Sequence, residues 1–330
     1  MRMPIVHNPV YDAEFPLTHR FPMGKYRRLA EVLVEEGVCA AGDFHVPAPA
    51  PAAWLKLAHD ADYVDRVIES AVPESIEREI GFPVSPKVSL RARTAVGGTV
   101  LAARLALAHG LACNTAGGSH HARRAHGAGF CTLNDVGVAA SVLLADGEIG
   151  RALVFDCDVH QGDGTADIFR DERRVFTLSI HNGRNYPVRK IASDHDCSLP
   201  DGVGDQAYLE IAGDLAEKAL RWAEPDIVFY NAGVDVHADD RLGRLSLTDA
   251  GIAARDRLVL SIFRGKGVPV CGVIGGGYSR DIDVLARRHA NLHREAAALF
   301  AAERPALPSH QETAAALRET GCSAASHGAL

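Results

Sequence analysis

Three absences limit what this protein can be. The sequence has no run of basic residues and a formal net charge of -7, so direct binding to nucleic acid is not expected. No apolar stretch approaches the roughly 20 residues that a membrane-spanning helix needs, and residues 1–15 lack the apolar core of a signal peptide. The seven cysteines show no CxxC spacing, as is typical of reduced thiols. We therefore predict a soluble, cytoplasmic protein with no membrane partner.

What the sequence does contain is an alternation of short apolar runs with longer stretches of helical periodicity. The apolar runs are rich in β-branched residues and too short for helices, which predicts buried strands. The predicted strands are 111–115, 151–156, 174–180, 226–233 and 268–277. The predicted helices are 25–37, 94–109, 134–145, 205–223, 248–265 and 281–303.

This alternation is typical of an α/β fold. We predict a single domain over residues 1–305, with a central parallel sheet and helices on both faces. Residues 306–330 are rich in alanine and serine and are expected to form a mobile tail.

Polar clusters follow four of the predicted strands. Ligands of open parallel sheets bind at the carboxyl ends of the strands, so one shared site is expected there. The clusters read "GGSHH" at 117–121, "DCDVHQGD" at 156–163, "GVD" at 233–235 and "GGGY" at 275–278.

The second cluster is the first candidate for metal binding. Asp156, Asp158 and His160 alternate along an extended segment, so their side chains can point the same way. A carboxylate and an imidazole suit Zn²⁺ or Fe²⁺ better than Mg²⁺ or Ca²⁺. Asp235 is the candidate third ligand, with His237 as its competitor. Solvated acids with a capping histidine are the alternative, but a carboxylate inside an apolar run needs a partner.

The other clusters carry candidate acid–base and hydrogen-bonding groups. His120 and His121 are adjacent on a glycine-tethered loop and could act as base and acid if Asp156 and Asp163 orient them. A pair of surface histidines is the alternative. Tyr278 follows three glycines and could donate a hydrogen bond to a developing oxyanion, unless the loop is a plain tight turn.

The order and spacing of these clusters resemble the histone deacetylase superfamily, and within it the class IV enzymes. The similarity rests on "GGSHHARRAHGAGFCTLNDV", "FDCDVHQGDGTADIF", "YNAGVDVHADDRLGRLSLT" and "GGGY", and on the opening "PIVHNPVY" with "KYRRLAEVLVEEG". The resemblance implies an arginase/deacetylase-like fold. It also implies a zinc-dependent amidohydrolase that removes acetyl or longer acyl groups from a lysine peptide or a small amine.

The resemblance further implies a role for each candidate residue. Asp158, His160 and Asp235 would hold Zn²⁺, or alternatively Fe²⁺. His121 would be the general base and acid and His120 its electrostatic partner. Asp163 and Asp156 would orient these histidines, and Tyr278 would polarise the acyl carbonyl.

Two further groups of residues are implied only by the resemblance. A structural K⁺ would lie near Asp156, Ser179 and the main-chain carbonyls of Asp158, His160 and Ile180. An acyl-lysine tunnel would be lined by Gly129, Phe130, Cys131, Tyr186, Leu242 and Gly276.

Departures from the family leave the substrate open. The acidic loop that grips peptides in histone-directed relatives has no counterpart in residues 75–90, and Leu242 stands where polyamine-selective relatives have glutamate. Two other functions are compatible with parts of this pattern. A binuclear manganese ureohydrolase of the same fold would need a ligand at Gly162. A non-catalytic acyl-amine binder would keep only the pocket. The oligomeric state is also left open.

Overall fold

A parallel sheet forms the centre of the protein. Within residues 2–16 and 18–303, the part of the chain that the computed structural model describes, seven strands pair into one sheet. They are Ile5–Val6 (β1), Leu111–Asn114 (β2), Ala152–Asp156 (β3), Val175–Asn182 (β4), His195–Leu199 (β5), Ile227–Asn231 (β6) and Val270–Val273 (β7). Their order is β1-β2-β7-β6-β3-β4-β5, and every neighbouring pair is parallel.

Helices cover both faces of this sheet. They are Lys25–Glu35 (α1), Ala52–Ala58 (α2), Ala61–Ile68 (α3), Glu74–Ile80 (α4), Pro86–His109 (α5), Asp135–Ala145 (α6), Asp163–Phe169 (α7), Asp205–Ala223 (α8), Asp249–Gly265 (α9) and Ile282–Ala302 (α10). Helices α1, α10, α9 and α8 contact one another in succession, whereas α5 packs on α6, which contacts α2 and α7. The predicted single-domain α/β fold is therefore confirmed.

The five predicted strands are present, but two strands were not predicted. All residues of β2, β3, β6 and β7 are buried, which explains their continuous apolar runs. β1 has only two residues and gives no pattern. β5 lies at the edge of the sheet, and its residues alternate between half-buried and exposed until Leu199, so it has no apolar run to detect.

The long predicted helices are also present, with one boundary wrong. The predicted helix 94–109 begins at Pro86, because Ser85 accepts a hydrogen bond from the Val88 backbone N–H and Pro86 occupies the first turn. Helices α2, α3, α4 and α7 have seven or eight residues each, too few to show helical periodicity.

Two predictions concern the extent of the chain. The boundary at residue 305 and the tail 306–330 lie outside the described residues. No helix in the described part of the chain combines the length and apolarity needed to cross a bilayer.

Candidate active site

The four polar clusters meet because of the strand order. Four consecutive neighbours in the parallel sheet are β2, β7, β6 and β3. Their carboxyl ends therefore lie side by side at one end of the sheet. Each cluster begins at the last residue of one of these strands or within three residues after it. The sheet therefore brings together residues that are far apart in the chain, since Gly117 and Tyr278 both belong to this end of the sheet.

Asp158, His160 and Asp235 form a buried cluster that fits a metal ion. Each offers a ligand atom, and these atoms lie within 4.8 Å of one another. His160 Nδ1 lies 3.0 Å from Asp158 Oδ1 and 3.1 Å from Asp235 Oδ2. Tetrahedral ligands of zinc are about 3.3 Å apart, so the three atoms suit one divalent ion. His237 lies outside this cluster, and its Nδ1 accepts a hydrogen bond from the Asp239 backbone N–H at 2.9 Å.

Backbone N–H groups hold the two carboxylates in place. Asp235 Oδ1 accepts from the Val159 N–H at 2.9 Å, and Asp158 Oδ2 accepts from the Gly276 N–H at 2.6 Å. A Cβ atom on Gly276 would overlap Asp235 and would lie 2.7 Å from Asp158 Oδ2. Glycine is therefore required at Gly276, because the loop after β7 must approach both carboxylates closely.

The electrostatics of the cluster also favour a cation. Burial and the neighbouring charge of Asp158 raise the pKa of Asp235 to about 7. Burial alone would raise the pKa of Asp158 too, but the charges of His120 and His160 and the hydrogen bonds from His160 keep that pKa well below its ordinary range. Two carboxylates that compete in this way in a buried site are stabilised by a bound divalent cation.

The adjacent histidines occupy different electrostatic environments. His120 Nδ1 lies 2.7 Å from Asp156 Oδ2, and His121 Nδ1 lies 2.6 Å from Asp163 Oδ1. Burial lowers the pKa of His120, but the charges of Asp156 and Asp158 outweigh this and raise it to about 9. Burial and the charge of His120 lower the pKa of His121 to about 4. One imidazole is thus charged and its neighbour neutral near pH 7.

Two further residues, which no sequence motif marked as functional, fix the orienting carboxylates. Asn231 Nδ2 donates to Asp156 Oδ1 at 2.9 Å, and Arg123 donates twice to Asp163 Oδ2, at 3.0 and 2.8 Å. Asn231 ends β6, and Arg123 closely follows the paired histidines. These positions near the polar clusters are the sequence signals that could have identified them.

Tyr278 faces the metal-ligand cluster with its hydroxyl free. Its ring centroid lies 6.2 Å from that of His160 and 5.8 Å from that of Phe130, and only 8% of the residue is exposed. Burial raises the pKa of the phenol well above its ordinary value, so the hydroxyl keeps its proton. Among the described residues this hydroxyl has no hydrogen-bond partner, so it can donate to a ligand.

A cavity of about 790 Å³, the main cavity, leads from the surface to these groups. His121, His160 and Tyr278 line its inner part. Four of the predicted tunnel residues, Gly129, Phe130, Tyr186 and Leu242, line it as well. The ring of Tyr186 stands edge-on to that of His121 at 4.8 Å.

The other two predicted tunnel residues, Cys131 and Gly276, line a much smaller inner cavity of about 20 Å³. This inner cavity also touches Asp158, His121 and Tyr278, so it lies at the metal-ligand cluster. Lys25 and Arg91 line it too, and neither was expected from the sequence. Lys25 is buried and donates to the Gly275 carbonyl at 3.1 Å.

The residues predicted to hold K⁺ lie around the end of β3. Asp156 and Ser179 are register partners on β3 and β4, and Ile180 is the next residue. The Ser179 hydroxyl is hydrogen-bonded to His181 Nδ1 at 3.0 Å. The potassium site stays a prediction.

Comparisons with known proteins identify the family. The model of the histone deacetylase domain matches residues 19–294. An uncharacterized protein of Picosynechococcus sp. is 48% identical over 296 residues, covering 90% of this chain and 99% of its own length. Histone deacetylase 2 of Arabidopsis thaliana is 31% identical and covers 89% of this chain and 79% of its own length.

A solved structure has the same fold as this protein. The crystal structure of the HDA15 HD domain superposes with a TM-score of 0.76 and 22% identity, covering 96% of this chain and 95% of that one. At this identity the similarity shows the fold alone. Membership of the family is shown by the domain match and by the similar sequences. The chain therefore belongs to the histone deacetylase family, whose members are hydrolases that act on amide bonds.

Proposed function

We propose that the protein is a zinc-dependent, class IV-like deacetylase that acts on acylated lysine or a related acylated amine. The observation that carries this proposal is the convergence of the Asp158–His160–Asp235 cluster, a charged and a neutral histidine, and a protonated tyrosine at the inner end of one cavity.

A zinc ion held by Asp158, His160 and Asp235 would supply a Lewis acid that polarises the acyl carbonyl and acidifies water. The protein's own groups do the rest. His121 Nδ1 is hydrogen-bonded to Asp163. Nε2 of this neutral imidazole is therefore free to take a proton from the attacking water. The same proton then passes to the departing amine nitrogen as the C–N bond breaks.

His120 and Tyr278 stabilise the charge that develops. His120, held by Asp156, carries a positive charge beside the site, and this charge keeps the proton affinity of His121 low. The Tyr278 hydroxyl donates to the developing oxyanion of the acyl carbonyl, for which one such donor is worth on the order of 10²–10³ in rate.

The size of the inner cavity limits the length of the acyl group that the site can accept. Its volume of about 20 Å³ is close to the roughly 10–15 Å³ that a single water requires. An acetyl methyl fits such a space, but a long aliphatic chain does not. Lys25 and Arg91 on its wall also disfavour an apolar chain. Of the acyl groups open to the family resemblance, we therefore propose acetyl.

The two alternative functions lose support. For a binuclear ureohydrolase, the second metal would need a ligand at Gly162, where a Cβ atom would already lie 2.6 Å from Asp156 Oδ2. Within residues 2–16 and 18–303, Asp158, His160 and Asp235 form the one metal-ligand cluster found. For a non-catalytic binder, the ordered acid–base pairs and the free phenol would have no use.

An acyl-chain panel with metal analysis tests the proposal. Peptides carrying acetyl-, butyryl-, octanoyl- or myristoyl-lysine are assayed on the full chain loaded with zinc or with Fe²⁺, and bound metal is counted. We expect one ion per chain and highest kcat/KM for acetyl. Zinc-loaded protein that cleaves none of the peptides would favour the binder. Faster cleavage of myristoyl than of acetyl would contradict the acyl-length argument alone.

Two further predictions remain part of this proposal. The structural K⁺ near Asp156 and Ser179 is tested by the dependence of the Tm on K⁺ against Na⁺ at constant ionic strength. The cytoplasmic location is tested by cell fractionation.

A further inference from the structure

A second cavity opens beside the mouth of the main cavity. It has a volume of about 370 Å³ and is called here the side cavity. The two cavities share the wall formed by Pro16, Thr18, His19 and Arg20. Nothing in the proposed reaction uses the side cavity, although it adjoins the place where the amine-bearing part of a substrate must lie.

Three arginines line the side cavity, and none is neutralised by a residue in the described part of the chain. They are Arg20, Arg241 and Arg280, and the side chain of each is exposed. In the described part of the chain, none of these guanidinium groups has a hydrogen-bond acceptor or an ion-pair partner. None of the described residues that line the side cavity carries a carboxylate. This is unusual in a protein whose formal net charge is -7.

The other arginines around the mouth provide the contrast. Arg78 pairs with Glu74 at 2.8 Å. Arg184 and Arg244 both pair with Asp201, at 3.2 and 3.3 Å. Arg78, Arg184 and Arg244, which line only the main cavity, thus have acidic partners, whereas Arg20, on the shared wall, and Arg241 and Arg280, in the side cavity, have none in the described part of the chain.

The carboxylates nearest in sequence to the free arginines are already engaged. Asp240, which precedes Arg241, accepts from the backbone N–H groups of Leu242, Gly243 and Tyr278 at 2.7–2.9 Å. Asp281, which follows Arg280, caps α10 by accepting from the N–H groups of residues 283 and 284 at 3.0 and 3.1 Å. Both carboxylates accept hydrogen bonds from backbone N–H groups and do not pair with the arginines. The guanidinium groups are therefore free to bind an external anion.

The side cavity is also close to the reacting groups. Arg280 is two residues from Tyr278, and two residues span at most about 7 Å. The backbone N–H of Arg241 donates to the Tyr278 carbonyl at 3.2 Å, and the next residue, Leu242, lines the main cavity. A group bound at these arginines would therefore lie just outside the tunnel, on the amine side of the scissile bond.

We propose that the side cavity is a subsite for a carboxylate on the amine-bearing part of the substrate. Guanidinium groups bind carboxylates through paired, charge-assisted hydrogen bonds, and three unpartnered ones make a cationic surface. The substrate class is an acylated lysine with an anionic neighbour, and lysine-rich peptides are disfavoured by charge repulsion. This inference rests on the proposed deacetylase function and specifies its substrate.

Two pairs of nearly isosteric substrates test the subsite on the zinc-loaded full chain. One pair is acetyl-lysine peptides flanked by Glu or by Gln, with a Lys-flanked peptide as the third member. The other pair is Nα-blocked Nε-acetyl-lysine with a free α-carboxylate or with a carboxamide. The pairs separate side-chain carboxylates from a main-chain carboxylate. We expect the anionic member of at least one pair to have a kcat/KM roughly five-fold or more above its neutral partner, and the advantage to shrink in high salt.

The arginines are then removed. In the triple variant Arg20→Gln/Arg241→Gln/Arg280→Gln, the ratio of kcat/KM for the anionic over the neutral substrate should fall towards one. Arg173→Gln is the matched control. Arg173 is exposed just before β4, at the amino ends of the strands and so away from the side cavity, and its substitution should leave the ratio unchanged. The three single variants, each expected to lower the ratio in part, give the same readout if the triple variant fails to fold.

The outcomes separate the two proposals. Equal kcat/KM for anionic and neutral substrates in the parent protein overturns the subsite while leaving the deacetylase function standing. A preference that survives all three arginine substitutions overturns it as well. If no acetyl-lysine substrate is cleaved at all, the proposed function fails and the subsite falls with it.

Discussion

Replacing Tyr278 with phenylalanine separates the chemistry of the site from the stability of the fold. The substitution removes one oxygen atom and keeps the ring, which contacts Phe130 and His160. Within residues 2–16 and 18–303 that oxygen makes no hydrogen bond, so its loss leaves no partner unsatisfied. We therefore expect no loss in the free energy of unfolding, because removing a buried hydroxyl that has no partner is neutral or stabilising.

The effect on turnover should be much larger. The hydroxyl is protonated and largely desolvated at the inner end of the main cavity, so it is a preorganised donor. Losing such a donor typically lowers kcat by on the order of 10²–10³, or about 2.7–4 kcal/mol of transition-state stabilisation. KM should change little, because the interaction is made mainly in the transition state.

The assay measures kcat and KM on an acetyl-lysine peptide, zinc per chain, and the Tm. Tyr63→Phe is the matched control: it also removes one phenolic oxygen, but that oxygen donates to the Thr132 carbonyl at 2.7 Å. Tyr63→Phe should lose about 0.5–1.5 kcal/mol of stability and keep its kcat. If Tyr278→Phe, with a full complement of zinc, turns over at the parent rate, the oxyanion role assigned to Tyr278 is wrong.

Three further predictions follow from the same site and its surroundings. Asp158→Ala should abolish zinc binding and activity, which metal analysis after dialysis and a turnover assay will measure. Gly276→Ala should weaken zinc binding at least ten-fold, because its Cβ would overlap Asp235, whereas Gly265→Ala, with open space around its Cβ, should not. His59 should make the fold less stable in acid: burial lowers its pKa from 6.5 to about 4, so its contribution is complete above pH 6.5 and is lost as the pH falls towards 4.

The contacts of His59 explain why the fold should lose stability in acid. The ring is held neutral because its Nε2 accepts from the Asn134 N–H at 3.0 Å while Nδ1 faces the Arg123 carbonyl at 2.8 Å. The change in pKa corresponds to about 3 kcal/mol. Denaturant titrations of the parent and of His59→Gln between pH 7 and 4 measure it. Equal pH dependence in the two proteins would contradict the assignment.

The sequence determined the local chemistry of this protein. The spacing of Asp158 and His160, the adjacent His120 and His121, and the glycine-rich approach to Tyr278 are each visible in a few residues. This is possible because side-chain direction along an extended segment alternates with a period of two, and because buried strands leave continuous apolar runs. The parallel α/β fold followed from the same runs.

The structure decided which distant segments meet. The approach of Asp235 to Asp158 and His160, the backbone support from Gly276, and the positions of Lys25 and Arg280 beside the site depend on the order of the strands. Nothing within one segment encodes that order, since it reflects how all the helices and strands bury their apolar faces together. The small volume of the inner cavity and the unpartnered arginines of the side cavity are likewise properties of packing and proximity, which only the tertiary structure supplies.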